Sequence, residues 1–326
     1  MQHSILGHIE TFESLQTAFP GPVPLSVSFD FGGHSQHAIF GCMIHGNETG
    51  SLPAANELIL LLSQKKFIFK GKVTFFIGNK EAALKNMRAL EADLNRVFTP
   101  TGPDNKERRR ALELMPLLKS ADIFVDFHQT VQPAKQPFYI FGFQKQSYLW
   151  ARAIGGASVL VTRSPRAKFE QGSLCCDEFT RQNNGASVTL ELGEKGINPA
   201  AHTLTLQTMM RTLQTLDALN DAKSGKLERL AHRRKDFLFY KIVQKIPFGN
   251  SKSQLEPGFL NFSEVKQGQI LGTGPDGRIM RAIDDGISLF PKYPERNAFG
   301  QAIDPVPVDI IQVAQRIKGH PLQKWR

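Results

Sequence analysis

From about residue 36 to residue 220, short apolar runs alternate with amphipathic stretches. The apolar runs predict strands over residues 38–44, 73–78, 123–127, 138–143, 158–161 and 187–191. Apolar positions at helical spacing predict helices over 52–62, 81–90, 106–118, 147–154 and 199–219. This alternation predicts an α/β fold: a mixed, largely parallel sheet flanked by helices. The pattern changes near residue 221, where residues 221–226 read as a polar linker. Beyond it come short β-type runs at 237–246, 258–265, 269–272 and 278–283, with a Gly-Pro-Asp-Gly turn signal at 274–277. Two domains are expected: a larger one over residues 1–224 and a smaller all-β one over 225–326.

Three apolar runs lead into polar side chains. The first is followed by His45 and Glu48, the second ends on His128, and the third ends on Glu191. In open α/β sheets, ligands bind beyond the carboxyl ends of strands, and all four residues fall on that side. Two imidazoles and one carboxylate are the donors of a zinc site that leaves a position for water. A histidine at a strand end is more often a core or surface residue, so the argument rests on convergence of the group. Gly46 and Asn47 suit a tight turn that swings Glu48 back beside His45. Asp126, two residues before His128 on the same strand face, would either orient that imidazole or pair elsewhere.

Glu191 stands inside an apolar stretch, where a carboxylate needs either a salt-bridge partner or a task. As a task, taking a proton from a metal-activated water fits, because a low-dielectric setting raises its pKa. Asn95 and Arg96 form an amide and guanidinium pair suited to gripping a carboxylate, and Arg88 lies eight residues before Arg96 on a predicted helix end.

Composition narrows the classes. Hydrophobic residues make up 41% and charged residues 21% of the 326, an ordinary globular balance. No run reaches the roughly 18 apolar residues of a membrane span, so no membrane partner is expected. The start of the chain has no secretory pattern and three cysteines make no disulfide framework, so the cytoplasm is the expected location. The adjacent Cys175 and Cys176 read as two buried small side chains. The net charge of +10 is compatible with nucleic acid or an acidic substrate. Its densest runs, at 108–110 and 229–235, have no interleaved aromatics and match no binding module, so no nucleic-acid partner is expected.

Four strings then stand in order: HGNETG at 45–50, DLNRVF at 93–98, DFHQT at 126–130 and LELG at 190–193. Together they resemble the succinylglutamate desuccinylase and aspartoacylase family of the zinc carboxypeptidase superfamily. The likeness spans about residues 38–220, and the β-rich tail is similar to the family's C-terminal domain. Leu192 after the glutamate, where aspartoacylases tend to have valine, places the chain nearer the bacterial desuccinylase branch. The resemblance implies a zinc-carboxypeptidase-like fold and one Zn2+ per chain held by His45, Glu48 and His128. It implies Glu191 as the base that activates water and Arg88 as the group that stabilises the oxyanion. Asn95 and Arg96 would bind a substrate carboxylate, with Arg181 as a further substrate-binding arginine. Asp177 stands where aspartoacylases have tyrosine, and loops such as 165–172 would line the acyl pocket. The implied reaction removes the acyl group from an N-acyl acidic amino acid, N-succinyl-L-glutamate in first place, as in arginine catabolism.

Other readings stay open on the sequence alone. They are an aspartoacylase-like or other N-acyl-amino-acid deacylase, a peptidase, and a binding protein that holds an acidic ligand without turnover. The C-terminal region would shape the channel or join copies in a homo-oligomer.

Overall fold

The computed structural model describes residues 4–162, 172–221, 227–232, 237–303 and 307–318. Most of the predicted acyl-pocket loop, most of the linker at 221–226 with the boundary at 224, and residues 233–235 of the second basic run lie outside them. The chain opens with α1 (Ile5–Ala18), β1 (Ser26–Asp30), β2 (His37–Cys42), α2 (Leu52–Ser63), β3 (Lys72–Ile77) and α3 (Lys80–Leu84). Then come α4 (Lys106–Lys119), β4 (Ile123–Thr130), β5 (Phe138–Ile140), α5 (Lys145–Ile154) and β6 (Val159–Thr162). After these follow α6 (Cys176–Gln182), β7 (Ala186–Glu194), α7 (Pro199–Asn220) and α8 (Leu227–His232). The remaining described elements are strands: β8 (Leu238–Pro247), β9 (Gln254–Leu255), β10 (Glu264–Val265) and β11 (Ile270–Thr273), then β12 (Ile279–Arg281), β13 (Gly286–Leu289) and β14 (Asp309–Arg316).

Eleven strands form one sheet in the order β1-β3-β2-β4-β7-β5-β6-β8-β14-β13-β10. Its centre is parallel through β3, β2, β4 and β7, whereas β1 and β5 run antiparallel to their neighbours β3 and β7. The central strands are covered on both faces, which is why they read as unbroken apolar runs. Alternate residues divide between the two layers. Phe40, Phe75 and Val125 pack in the core that includes α1, α2, α5 and α7. Ile39, Phe76 and Phe124 instead face Leu114 and Leu118 of α4 and Phe179 of α6.

The predicted helix at 81–90 stops at Leu84. Asn86 takes a left-handed φ of 52°, Met87 N–H donates to Ala82 O and Asn86 N–H to Ala83 O. This is a Schellman stop, which an asparagine tolerates and which releases residues 85–93 as irregular chain. Strands β4 and β7 also run further than predicted, so His128 sits inside its strand rather than just beyond it, and Glu191 inside its strand rather than at its last position. The alternation ends late because polar residues there face neighbouring chain instead of solvent, so sequence polarity misplaced the stop. Helix α1, strand β1, the short α6 and the strands β9, β13 and β14 carry no prediction above, and α8 puts a helical turn at the start of the region expected to be all-β.

The C-terminal strands extend the main sheet. β8 pairs parallel to β6, and β14, β13 and β10 add on antiparallel. A separate core of Phe248, Leu271, Ile310 and Ile311 fills this region, beside a three-stranded sheet β12-β11-β9. The turn at 274–277 forms as expected, with Gly277 N–H donating to Gly274 O. The run at 258–265 keeps only Glu264–Val265 as strand, and Phe262 takes a φ of 69°. Among the described residues no helix is long and apolar enough to cross a membrane.

His37, at the start of β2, is buried between Ser120 Oγ at 3.0 Å from Nδ1 and Thr74 Oγ1 at 2.8 Å from Nε2. Burial, helped by nearby Lys72, lowers its pKa to about 4. The unfolded chain binds this proton near pH 6.5, so the contribution is present above that pH and is lost as pH falls toward about 4. The expected loss is about 3 kcal/mol. Urea denaturation at several pH values should show a shallower acid slope for His37→Gln than for the unmodified chain. Equal slopes would refute this origin.

Candidate active site

Two turns and one strand pair assemble the site. The chain leaves β2 through Met43, whose φ of 54° is uncommon for a side chain of that size and marks a sharp change of direction. Gly46 then passes so close to α3 that a Cβ there would lie 2.4 Å from Ala83 N. Gly50 meets the Gln129 amide just as tightly, at 2.5 Å. Gln129 accepts from Gly50 N–H and Gly196 N–H and donates to Glu194 O and Gly196 O. One buried amide thus ties the loop carrying Glu48 to the end of β7. His128 and Glu191 are direct cross-strand partners.

His45, Glu48 and His128 converge, with ligand-capable atoms within 4.8 Å of one another. His45 Nδ1 lies 2.8 Å from Glu48 Oε1, and His128 Nδ1 lies 2.8 Å from Glu48 Oε2. The two Nδ1 atoms are 3.1 Å apart. Both Nε2 atoms face carboxylates, His128 toward Asp126 at 2.7 Å and His45 toward Asp93 at 3.1 Å. Such outer partners accept from Nε2–H and orient each ring with Nδ1 inward, the nitrogen that could bind a metal once it has lost its own proton. Burial works against charge on Glu48, but the two imidazoles outweigh it and hold its carboxyl well below the usual range. Burial likewise opposes charge on His128, and Asp126 with Glu48 overrides it, raising that pKa. Two nitrogens and one oxygen in a buried, acid-rich setting could hold a divalent metal ion.

Arg88 lies on the irregular segment after α3, not on a helix end. Its Nε and Nη2 donate to Asp93 Oδ2 at 3.2 and 3.0 Å, and Nη1 donates to Glu48 Oε1 at 3.2 Å. The Arg88 side chain is 45% exposed, so it stands at the mouth of the group. Glu107 on α4 holds this segment by accepting from the N–H groups of Leu90, Glu91 and Ala92. Burial would raise the Glu107 pKa, but these bonds and the one from Asn79 lower it. Asn95 Nδ2 approaches His128 Nε2 at 3.4 Å. Arg96 Nη1 donates to Asn95 O at 2.7 Å.

Glu191 is buried, and its Oε2 has no hydrogen-bond partner among the described residues. Burial raises its pKa to about 7; His128 opposes the rise and Glu48 adds to it. An orphaned buried carboxylate oxygen beside a metal-ligand set suits a proton acceptor. Arg181 is placed differently. Its Nη1 donates to Asp177 Oδ2 at 2.8 Å and to Ser187 Oγ at 3.0 Å, and no contact joins it to the His45–Glu48–His128 group among the described residues. That ion pair lies within α6 and the bond to Ser187 ties the helix to β7, with Asp177 supplying the charge where aspartoacylases have a neutral tyrosine.

Three participants escaped the sequence reading. Asp93 opens a quoted string, yet only the fold sets it behind His45. Glu107 reads as one acid in a charged helix, and nothing in its neighbours marks it. Lys292 comes from the C-terminal region, anchored where its N–H donates to Ile310 O at 2.9 Å. Burial lowers its pKa, and the charges of Asp309, Arg88, Glu191 and Glu48 act on it. Lys292 thus lies within electrostatic reach of Glu48 and Glu191 from the segment between β13 and β14.

Residues 35–222 match the catalytic domain of the succinylglutamate desuccinylase/aspartoacylase family. A succinylglutamate desuccinylase of Shewanella denitrificans is 25% identical over a 346-residue alignment that covers 89% of this chain and 93% of that protein. Its counterpart in Shewanella frigidimarina is 25% identical over 280 residues, covering 78% and 77%. The solved structure of a succinylglutamate desuccinylase from Vibrio parahaemolyticus shares the fold, with a TM-score of 0.68 and 16% identity over 90% of this chain and 87% of that one.

Zinc added to metal-free protein at about 1,000 times its Kd should stabilise the fold by about 4 kcal/mol. A thermal melt with and without zinc reads this, and Glu48→Ala should abolish the upward shift. A shift that survives Glu48→Ala would place the metal elsewhere.

Proposed function

The chain belongs to the succinylglutamate desuccinylase/aspartoacylase family, and on that footing we propose that it hydrolyses the amide bond of an N-acyl acidic amino acid with one zinc ion per chain. The favoured substrate is N-succinyl-L-glutamate, giving succinate and L-glutamate as a step of arginine breakdown. The observation that carries this reading is the meeting of two Nδ1 atoms and the Glu48 carboxylate, with the buried Glu191 across the strand from His128.

Zinc held by His45, Glu48 and His128 would supply the Lewis acidity that makes water nucleophilic and the carbonyl electrophilic. Glu191, with a pKa near 7, accepts the proton that water loses on attacking the carbonyl carbon. It then returns that proton to the amine nitrogen as the C–N bond breaks, so the base ends as it began. Arg88 at the mouth supplies N–H donors for the oxyanion. Asn95 and Arg96 provide the amide and guanidinium that hold a substrate carboxylate. Lys292 offers a second cation for the distal carboxylate, and its partial desolvation strengthens that attraction.

A second reading keeps the chemistry and changes the substrate to another N-acyl amino acid. The Arg181–Asp177 pair favours it, since an arginine committed to Asp177 offers no charge to a substrate side chain.

The deciding experiment offers the zinc-loaded protein an equimolar mixture of N-succinylglutamate, N-acetylaspartate and N-acetylglutamate and follows the products by mass spectrometry. Glutamate and succinate alone support the desuccinylase reading, whereas preferential cleavage of an acetylated member supports the second. Glu191→Gln should lower kcat by about 10²- to 10⁴-fold while zinc affinity stays unchanged. A variant that kept full turnover would rule out Glu191 as the base. Lys292→Met should raise KM for the succinylated substrate about tenfold, the value of one charge-assisted hydrogen bond. An unchanged KM would remove Lys292 from substrate binding.

A further inference from the structure

The second cysteine of the 175–176 pair lies behind the metal ligands rather than in an inert part of the core. Cys176 is fully buried at the start of α6. Its Sγ is 3.1 Å from Asp126 Oδ2 and 3.1 Å from Asn95 Oδ1. Its main-chain N–H donates to Asn95 Oδ1 at 3.0 Å. One residue therefore touches both the carboxylate that backs His128 and the amide expected to hold substrate.

The donor count makes these contacts consequential. Asp126 is fully buried, and among the described residues its Oδ1 has no hydrogen-bond partner while Oδ2 faces two donors, His128 Nε2 and Cys176 Sγ. A buried carboxylate with so few donors keeps its orientation only while each is in place. The thiol has one proton, and the charged oxygen of Asp126 is a stronger acceptor than the Asn95 amide, which already accepts the Cys176 N–H. Burial, reinforced by the neighbouring Asp126, pushes the Cys176 thiol well above its ordinary range, so it carries a proton to donate. The Asn95 amide is likewise oriented: with Oδ1 turned to Cys176, Nδ2 faces the metal-ligand side. Strand-like contacts between residues 96–98 and Leu174 fasten the same two segments just beside this point.

We propose that Cys176 is a positioning residue whose thiol fixes Asp126 behind His128 and whose main-chain N–H orients Asn95, joining the metal-binding and substrate-binding halves of the site through the start of α6. The inference rests on the metal reading of His45, Glu48 and His128.

The test compares Cys176→Ala with Cys176→Ser, which leave nearly the same space but differ in the donor. Zinc affinity is measured by chelator competition on each full-length protein, alongside the melting temperature of the metal-free forms. Cys176→Ala should bind zinc about tenfold more weakly, as loss of an outer partner does, and Cys176→Ser should recover to within about threefold. In an Asp126→Ala background the difference between Cys176→Ala and Cys176→Ser should vanish, because the acceptor that distinguishes them is gone. Equal zinc affinity in Ala and Ser would overturn the proposal, as would a lowered melting temperature in Ala with zinc affinity unchanged. Should the Ala protein not fold, Cys176→Val and Cys176→Thr form a second pair that differs in the same donor, with the same outcomes expected. An unmodified protein that bound no zinc would overturn both this inference and the proposed function, whereas normal zinc binding with indifferent variants overturns only the role of Cys176.

Discussion

Glu48, buried between two imidazoles, is the constraint on which the rest of the site depends. A carboxylate taken out of water is costly, and here its compensation comes from His45 and His128, each backed by a further acid. The result is a chain of alternating polarity, Asp93–His45–Glu48–His128–Asp126, drawn from three separate parts of the sequence. No member is stable in this setting alone. Each can be buried because the next is in place, and a divalent ion fits where the three inner donors meet.

Holding such a chain together requires rigid surroundings, and the sheet supplies them. The register of β4 against β7 places His128 across from Glu191, so this imidazole and this carboxylate share a fixed spacing. Gln129 locks the Glu48 loop to the far end of β7 through four hydrogen bonds. Glu107 performs the equivalent task for the irregular segment from Leu90 to Ala92, accepting from three successive N–H groups. Both devices satisfy main-chain groups that would otherwise be buried without partners, so they stabilise the fold and position the site at once.

Charge is distributed unevenly around this core. Arg88 is drawn onto Asp93 and Glu48, Lys292 arrives from the C-terminal strands, and Arg181 is withdrawn into a pair with Asp177. The continuation of the main sheet through β8 makes the Lys292 arrangement possible, because it fixes the C-terminal region against the same sheet that carries the ligands. The net charge of +10 is therefore a poor guide by itself. What matters to an anionic substrate is which cations remain at the site once internal acids have taken their partners.

The sequence by itself determined the central layers, because strands covered on both faces must be apolar throughout and helices between them must carry one apolar stripe. It also singled out polar side chains at the ends of apolar runs, of which the fold brings His45, Glu48 and His128 together. It located His45, Glu48, His128 and Glu191, and it read Asp126 as one of two alternatives. Tertiary structure alone decided the outer partners. Asp93, Glu107, Cys176 and Lys292 reach the site from distant segments, and no local pattern distinguishes them from ordinary polar or core residues. The same holds for Arg181, whose spacing pointed toward substrate. A guanidinium goes to the nearest buried carboxylate, and only the fold fixes that this is Asp177 one helical turn away.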